Sequence, residues 1–432
     1  MAIQSKTDDT VLKVAAAGLF HDIGKFAGPG GLGGDSAYRD ANESIYLPVY
    51  KGRYSHQHAL WTAKFIEEST GLIPPDLQDK NWGAGPTFLE LSARHHKPEN
   101  AYEQIITEAD RISSGMDRQD YEDKRQYTDP RQYRETRLVS LFEHLSKGRL
   151  QSEAEHTYSY KLEPLGPESI FPVMQEPSSG NPAEDYMQLY GRFVSDLERL
   201  PSRTSNTELW LEHFDTLFMR YTSFIPAARA GLSVPDISLY DHSRSTAALA
   251  AALYLYHRDT NTLEIPAVKE SGTEKFLMIS GDFSGIQNFI FKTYGASRKY
   301  RSKLLRGRSL AVSLYTELAA DLICRRIGLP FLSVVFSAGG RFTIIAPNTK
   351  TACQEFHSAR EDITAWMVDH FYGESTICLS SIPASPDDFR KGTLNQSGEN
   401  ISSYLGLTQK LGKAAERIKF TRFAPERECG VV

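Results

Sequence analysis

A histidine followed at once by an aspartate, His21-Asp22, closes an amphipathic run that begins near Val11, and Ile23-Gly24-Lys25 follow it. An imidazole nitrogen and a carboxylate oxygen side by side can share one cation. The mixed donor set suits Mn, Fe, Co, Ni or Zn and leaves positions open for water and a phosphate oxygen. Further residues of ligand type recur over the first quarter of the chain: His56 and His58 in Ser55-His56-Gln57-His58, the doublet His95-His96, and Asp110 in Glu108-Ala109-Asp110-Arg111. Each falls near an expected helix end, where side chains of three or four helices can converge. A histidine met alone on a helix is more often a structural hydrogen-bonding group. The doublets, and the crowding of these residues before position 111, point instead to a shared ion. A divalent cation there would polarise a phosphodiester and bring the pKa of its bound water toward neutrality. Lys25, one turn from His21, is placed either to neutralise a phosphate or to stand as a solvated helix-end cation.

The elements that must position these residues are helices, expected over 11–26, 58–69 and 87–96, in one all-α unit spanning 1–118. From 119 to 160 the chain turns polar and mixed in charge, as in Asp120-Tyr121-Glu122-Asp123-Lys124-Arg125, and reads as an exposed insertion. Helical periodicity returns with Tyr186, Leu189, Phe193, Leu197 and Leu200 on one face, then with an Ala-rich helix over 243–257. The stretch 119–271 is therefore expected to be a polar insertion and helical linker.

The last third alternates strand-like and helix-like patterns. A strand is expected over 276–280. A helix over 303–327 should bury Leu304, Leu305, Leu310, Val312, Leu314 and Leu318, and Gly328-Leu329-Pro330 stops it. Strands over 332–337 and 342–346 flank Gly339-Gly340, a hairpin signal. A helix over 351–372 and a strand over 375–382 follow. The order β-α-β-β-α-β is the split βαβ, or ferredoxin-like, topology, here over 272–390. A helical segment is expected within 391–432. The fold class is α+β and multidomain: an all-α domain, a helical linker, then a ferredoxin-like domain.

Composition narrows the function. Net charge is -5, from 49 basic and 54 acidic residues, so nucleic-acid contacts must come from local patches. One candidate is Arg298-Lys299-Tyr300-Arg301-Ser302-Lys303-Leu304-Leu305-Arg306-Gly307-Arg308, a phosphate-contacting segment or the solvated first turns of a surface helix. No apolar run approaches the roughly 20 residues that a bilayer span requires. The four cysteines form no C-x-x-C pair, which argues against a disulfide framework and fits a reducing cytoplasm. Gly281-Asp282-Phe283-Ser284-Gly285, expected just after a strand, reads either as a nucleotide contact through backbone amides and Ser284, or as a turn whose Asp282 caps the next helix. Asp241-His242 reads as the capping start of the Ala-rich helix.

With these residues in hand, the sequence resembles the large, signature subunit of type III CRISPR effector complexes, most like the III-A form. The resemblance runs nearly end to end. It rests on Leu19-Phe20-His21-Asp22-Ile23-Gly24-Lys25, Ser55-His56-Gln57-His58-Ala59, His95-His96 and Ala109-Asp110-Arg111-Ile112-Ser113-Ser114-Gly115-Met116-Asp117-Arg118. It continues through Asp236-Ile237-Ser238-Leu239-Tyr240-Asp241-His242, Gly281-Asp282-Phe283-Ser284-Gly285-Ile286-Gln287-Asn288-Phe289-Ile290 and Ser337-Ala338-Gly339-Gly340-Arg341-Phe342.

That resemblance implies an HD domain that cuts single-stranded DNA with a transition metal, Mn, Co or Ni. His21, Asp22, His95 and Asp110 would be ligands, with His58 and His96 as additional ones. It implies a cytoplasmic complex with crRNA, target RNA and other type III subunits, above all the small subunit and the subunit that binds the crRNA 5' end. It also implies a palm domain that contributes to ATP binding, with Gly281, Asp282, Ser284 and Gly285 as the contacts carried over. Family members make cyclic oligoadenylate with a Gly-Gly-Asp-Asp turn in a second palm. The hairpin here reads Gly339-Gly340-Arg341-Phe342, and no Gly-Gly-Asp-Asp occurs in the sequence, so 272–390 is expected to be the first, non-catalytic palm. Cys429-Gly430 stands where a four-cysteine zinc module would begin, and a truncation before that module is expected. Two further readings stay open: an HD phosphohydrolase acting on nucleotides, and a non-catalytic assembly subunit.

Overall fold

The computed structural model describes residues 7–117, 134–142, 158–174, 181–228, 234–291, 300–390, 393–394, 400–401 and 403–419. The chain divides into two compact units, one made of Leu12–Ala250 and Leu263–Lys269, the other of Met1–Val11, Ala251–Thr262 and Glu270–Val432.

In the first, helical unit, α1 (Asp9–Phe20) is buried on every side from Val11 onward, as expected of a helix that is apolar all round. The helix expected over 11–26 is interrupted. It stops at Phe20, His21 to Ile23 form a turn, and α2 (Gly24–Ala27) resumes. The cause is a buried threonine on α4 (Gln57–Glu68): Gly24 N–H donates to Thr62 Oγ1 at 3.0 Å, and Thr62 Oγ1 donates to the His21 carbonyl at 2.9 Å. These bonds satisfy backbone groups that a continuous helix would have paired internally. Gly24 is required there, because a Cβ would lie 1.9 Å from the His58 carbonyl oxygen.

Between α2 and α4 lie α3 (Ser36–Tyr46) and a short hairpin of β1 (Val49–Tyr50) and β2 (Arg53–Tyr54). Next come α5 (Phe88–Ala93), opened by a Thr87/Glu90 capping box, and α6 (Ala101–Asp117). The sequence reading set 119–271 apart as a linker. The structure instead folds α7 (Pro182–Leu197), α8 (Thr207–Thr222) and the start of α9 (Leu239–Asp259) into the same unit as α1. Aromatic packing is the reason: Phe20 stacks on Phe214 with centroids 4.2 Å apart, and Phe26 meets Phe193 at 5.4 Å. The face expected on α7 is the buried one, carrying Tyr186, Leu189, Phe193 and Leu197. The polar run 119–133 lies outside the described residues.

In the second unit, a four-stranded antiparallel sheet has the order β4-β5-β3-β6, formed by β3 (Phe276–Ser284), β4 (Val334–Ala338), β5 (Arg341–Pro347) and β6 (Thr376–Ala384). Between β3 and β4 run α10 (Ile286–Phe291) and α11 (Arg301–Ile327), and α12 (Lys350–Phe371) joins β5 to β6. The expected β-α-β-β-α-β order is present, and Gly339 and Gly340 turn the hairpin with φ of 60° and 80°. The helix α13 (Ser403–Lys419) packs on β6 and β3. It contains the helix expected after the last strand, whereas Cys429-Gly430 lies outside the described residues.

Two local expectations fail. β3 continues through Ser284, so Gly281 to Ser284 are strand residues rather than a turn, and Asp282 sits in register with Arg341 and Cys378 instead of capping a helix. On α11 the buried face is Val312, Thr316, Ala319, Ala320, Ile323 and Cys324, while Leu304, Leu310, Leu314 and Leu318 are exposed. Small side chains let this helix approach its neighbours closely, and a leucine count cannot show that.

Candidate metal centre

The turn between α1 and α2 delivers His21 and Asp22 into the interior of the helical unit, at 0% and 2% exposure. α4 brings His58 from its first turn, the segment after α5 brings His95 and His96, and α6 brings Asp110. Their donor atoms meet. Asp22 Oδ1 lies 3.1 Å from His58 Nε2 and 3.9 Å from His95 Nε2, and His21 Nε2 lies 3.5 Å from Asp22 Oδ2 and 3.9 Å from Asp110 Oδ1. Three overlapping groups, His58/His95/His96, His21/Asp22/His95 and His21/Asp110/His242, each have their ligand atoms within 4.8 Å of one another.

His242, at the start of α9, is the member that sequence reasoning did not select. Its Nε2 stands 3.2 Å from Asp110 Oδ1 and 3.5 Å from Asp22 Oδ2. The capping work assigned to this spot is done by its neighbours: Ser238 Oγ accepts from Asp241 N–H at 3.0 Å and donates to the Asp241 carboxylate at 2.7 Å. A histidine just ahead of an Ala-rich helix was the signal available in the sequence.

Each inward imidazole is oriented from behind. His21 Nδ1 is 2.7 Å from the Gly18 carbonyl and His95 Nδ1 is 2.9 Å from the Ser92 carbonyl. A carbonyl only accepts, so both Nδ1 atoms carry the proton, and in the neutral ring that leaves the Nε2 lone pair facing the centre. His242 Nδ1 bonds Ser113 Oγ at 3.0 Å, and Thr107 Oγ1 ties down the His95 carbonyl at 2.7 Å. His21 Nε2, His95 Nε2 and Asp22 Oδ1 are buried and have no hydrogen-bond partner. Three such orphaned acceptors converging are costly unless a cation satisfies them. The residues present therefore fit a divalent transition metal.

Electrostatics agree. Burial pushes His21 down to about 4, with Asp22 acting against the shift, and burial likewise holds His58 and His96 below the usual histidine range. These imidazoles stay neutral and able to ligate. Burial would raise the Asp22 carboxyl, but Lys25 and His21 outweigh it and hold it well below its ordinary value. Asp110 is likewise low because His242 and His21 outweigh its burial. Lys25 Nζ contacts Asp22 Oδ2 at 2.5 Å, so its charge already serves the aspartate. His56 holds a left-handed backbone, φ 60°, at the entrance to α4, and its ring centroid lies 4.0 Å from that of His96. Strain of this kind gathers at functional positions.

The nucleotide candidates of the sheet unit look different. Asp282 Oδ1 lies 3.5 Å from Arg341 Nε, and its Oδ2 lies 2.5 Å from Lys419 Nζ. Gly281 and Asp282 are paired on both sides within the sheet. Ser284 and Gly285, the latter at φ 88°, stand at the strand's end. Of the basic segment, Arg301 to Arg308 form the solvated first turns of α11, while Arg298 and Lys299 lie outside the described residues.

Three comparisons bear on this architecture. Residues 275–428 match the family model of the Csm1 subunit domain B. The chain is 27% identical over 96% of its length to the CRISPR system single-strand-specific deoxyribonuclease Cas10/Csm1 (subtype III-A) of Methanocaldococcus jannaschii, covering 50% of that protein. It is 24% identical over 95% of its length to the protein so named in Mycobacterium tuberculosis, again covering 50%. Among solved structures, a Csm1-Csm4 cassette in complex with pppApA aligns with a TM-score of 0.64 at 23% identity, over 98% of this chain and 51% of that one. Csm1 of T. onnurineus aligns at 0.63 and 23%, over 96% and 49%. The chain thus spans about half the length of the relatives it matches. The resemblance read from its motifs holds over nearly its whole length.

Proposed function

We propose, with kinship to the type III-A CRISPR large subunit as the premise, that the helical unit is an HD-type phosphodiesterase cleaving single-stranded DNA. His21, Asp22, His95, Asp110 and His242 would hold a divalent transition metal, with His58 and His96 as further ligands. The observation that carries the proposal is the convergence of His21 Nε2, His95 Nε2 and Asp22 Oδ1, all buried and all without a hydrogen-bond partner. The names of the relatives support the substrate class.

A Mn²⁺, Co²⁺ or Ni²⁺ ion bound there supplies Lewis-acid polarisation of the phosphodiester and an acidified water. The chain's own residues do the rest. The carbonyls behind His21 and His95 orient each ring, and burial keeps the His21 imidazole neutral. Such outer contacts hold ligand geometry and basicity. Lys25 fixes Asp22 Oδ2 and leaves Oδ1 facing inward.

The sheet unit is read as a ferredoxin-like palm that contributes to ATP binding without the Gly-Gly-Asp-Asp catalytic turn. Its supports are the β4-β5-β3-β6 strand order and the relatives solved with pppApA and with one ATP. Because the sheet occupies the backbone of Gly281 and Asp282, the nucleotide contact narrows to Ser284 and Gly285. Partners follow the same kinship: the subunit corresponding to Csm4, the small subunit, crRNA and target RNA.

The test is cleavage of an unstructured DNA oligonucleotide with Mn²⁺, Co²⁺ or Ni²⁺. The double variant His21→Ala, Asp22→Ala should lose at least roughly a hundredfold in rate, since even removing an outer contact to a metal ligand costs 10- to 100-fold. Undiminished cleavage by that variant sinks the assignment. Turnover of a mononucleotide with no DNA cleavage would replace it with a nucleotide phosphohydrolase.

A further inference from the structure

The β1-β2 hairpin directly precedes α4 in the chain, and its side chains are exposed. Val49 is 63% exposed, Tyr50 65% and Tyr54 36%. Lys51 and Gly52 form its two-residue turn with φ of 50° and 75°, the primed geometry that keeps a short hairpin tight. The Lys51 ammonium lies 5.3 Å from the centre of the Tyr50 ring. Neither Lys51 nor Arg53 makes an ion pair among the described residues. Two cations are thus exposed to water with no ion-pair partner among the described residues. The sequence from Ser44 to Ile66 contains no aspartate or glutamate, so the segment that carries the hairpin into α4 brings no carboxylate of its own.

The hairpin is tied to the site by covalent continuity. Tyr54 precedes Ser55-His56, and a fully extended chain separates Tyr54 from His56 by at most about 7 Å. Ser55 N–H donates to the Pro48 carbonyl at 3.1 Å, closing the base of the hairpin, and Ser55 Oγ bonds His56 Nδ1 at 2.9 Å. The His56 ring stands 5.9 Å from that of His58 and 4.0 Å from that of His96. Lys97 Nζ, just after His96, donates to the Ser44 carbonyl at 2.6 Å on the segment that leads into the hairpin. Exposed tyrosines interleaved with cations that form no ion pair among the described residues, on a tight turn close in the chain to a phosphodiesterase centre, are what an unpaired strand needs. The rings offer faces for stacking and the cations meet phosphates, while a duplex keeps its bases stacked inside.

We infer that the hairpin Val49–Tyr54 is the substrate seat of this unit: Tyr50 and Tyr54 stack on unpaired bases, and Lys51 and Arg53 engage the flanking phosphates. The inference rests on the nuclease reading above and specifies how that site chooses a single strand over a duplex.

The experiment measures anisotropy of a fluorescein-labelled, unstructured oligothymidylate and of a duplex of equal length. The full chain is used, in EDTA, over a range of salt. Tyr50→Ala with Tyr54→Ala should weaken single-strand binding by roughly tenfold or more, because stacking on an aromatic side chain carries about that factor per base. Duplex binding should be unchanged. Tyr50→Phe with Tyr54→Phe, which keeps both rings, should bind as the unaltered chain does. Lys51→Ala with Arg53→Ala should lower the salt dependence of single-strand binding by roughly two phosphate contacts.

Unchanged single-strand affinity in the double alanine variant, with circular dichroism showing it folded, overturns the inference. So does equal weakening of duplex and single strand, or failure of the phenylalanine variant to bind. Because binding is read without metal, the two proposals fail separately. Lost binding in the hairpin variant, beside full cleavage by His21→Ala, Asp22→Ala, removes only the metal assignment. Normal binding in the hairpin variant, beside abolished cleavage in the other, removes only the seat.

Discussion

Asp22 in the helical unit and Asp282 in the sheet unit are both buried, at 2% and 8% exposure, yet they are left in opposite states. Asp282 is met by two permanent cations, Arg341 at one oxygen and Lys419 at the other. Asp22 has the Lys25 ammonium at Oδ2, and its Oδ1 faces the rings of His95 and of His58, the latter kept neutral by burial. A buried carboxylate between fixed cations is already compensated. One among neutral imidazoles keeps its attraction for a cation and adds nitrogen lone pairs to it. The same residue type thus closes a structural contact in one unit and opens a binding site in the other. Its surroundings decide which.

Acidification of the metal-free chain should separate the two regions most strongly. With the folded value of His21 near 4 against an ordinary 6.5, the unfolded chain binds a proton between those pH values and the folded chain does not. Stability is therefore complete above about pH 6.5 and falls as pH drops toward 4, by on the order of 3 kcal/mol for this group. His58 and His96 act in the same direction. Hydrogen exchange followed from pH 7 to 4 should show protection falling in α1, α4 and α6 before it falls in β3 and β5. Simultaneous loss in both units breaks the contrast.

Metal addition is the next largest effect. Free Mn²⁺ at a hundred times its dissociation constant should stabilise the helical unit by about 2.7 kcal/mol, as for any ligand that binds only the folded state. Exchange protection in α1 and α6 should rise accordingly and should not rise in His95→Ala. An equal gain in that variant would place the ion elsewhere.

The smallest effect is expected in the sheet unit. Asp282→Asn removes one counter-charge from Arg341 and from Lys419, and both are partly solvated, so the loss should be about 1 kcal/mol in denaturant unfolding. DNA cleavage should stay within about twofold. A cleavage defect comparable to that of His21→Ala, Asp22→Ala would show that Asp282 is not merely compensated.

Much of this was legible in the residues themselves. The convergence of His21, Asp22, His58, His95, His96 and Asp110 was expected from doublets placed near helix ends, and the structure brings their donor atoms into overlapping groups, each within 4.8 Å. The split βαβ order was expected because period-two and helical patterns alternate with clear turns, above all Gly339-Gly340. What escaped were facts that depend on a partner distant in sequence. His242 reads as part of a capping turn until α9 is laid beside Asp110. The break after Phe20 depends on a hydroxyl on α4. The leucines of α11 read as a core face, yet its smaller residues are the ones buried.

From sequence alone the chain determined which side chains are able to ligate, the order of the strands and helices of the sheet unit, and the Gly339-Gly340 turn, because these follow from residue chemistry and local periodicity. Only the tertiary structure decided which nitrogen of each imidazole points inward, which carboxylate is already neutralised, and that a histidine near the end of the helical unit completes a centre begun by its first helix. Those outcomes depend on distances between segments far apart along the chain, and no local pattern of residues encodes such distances.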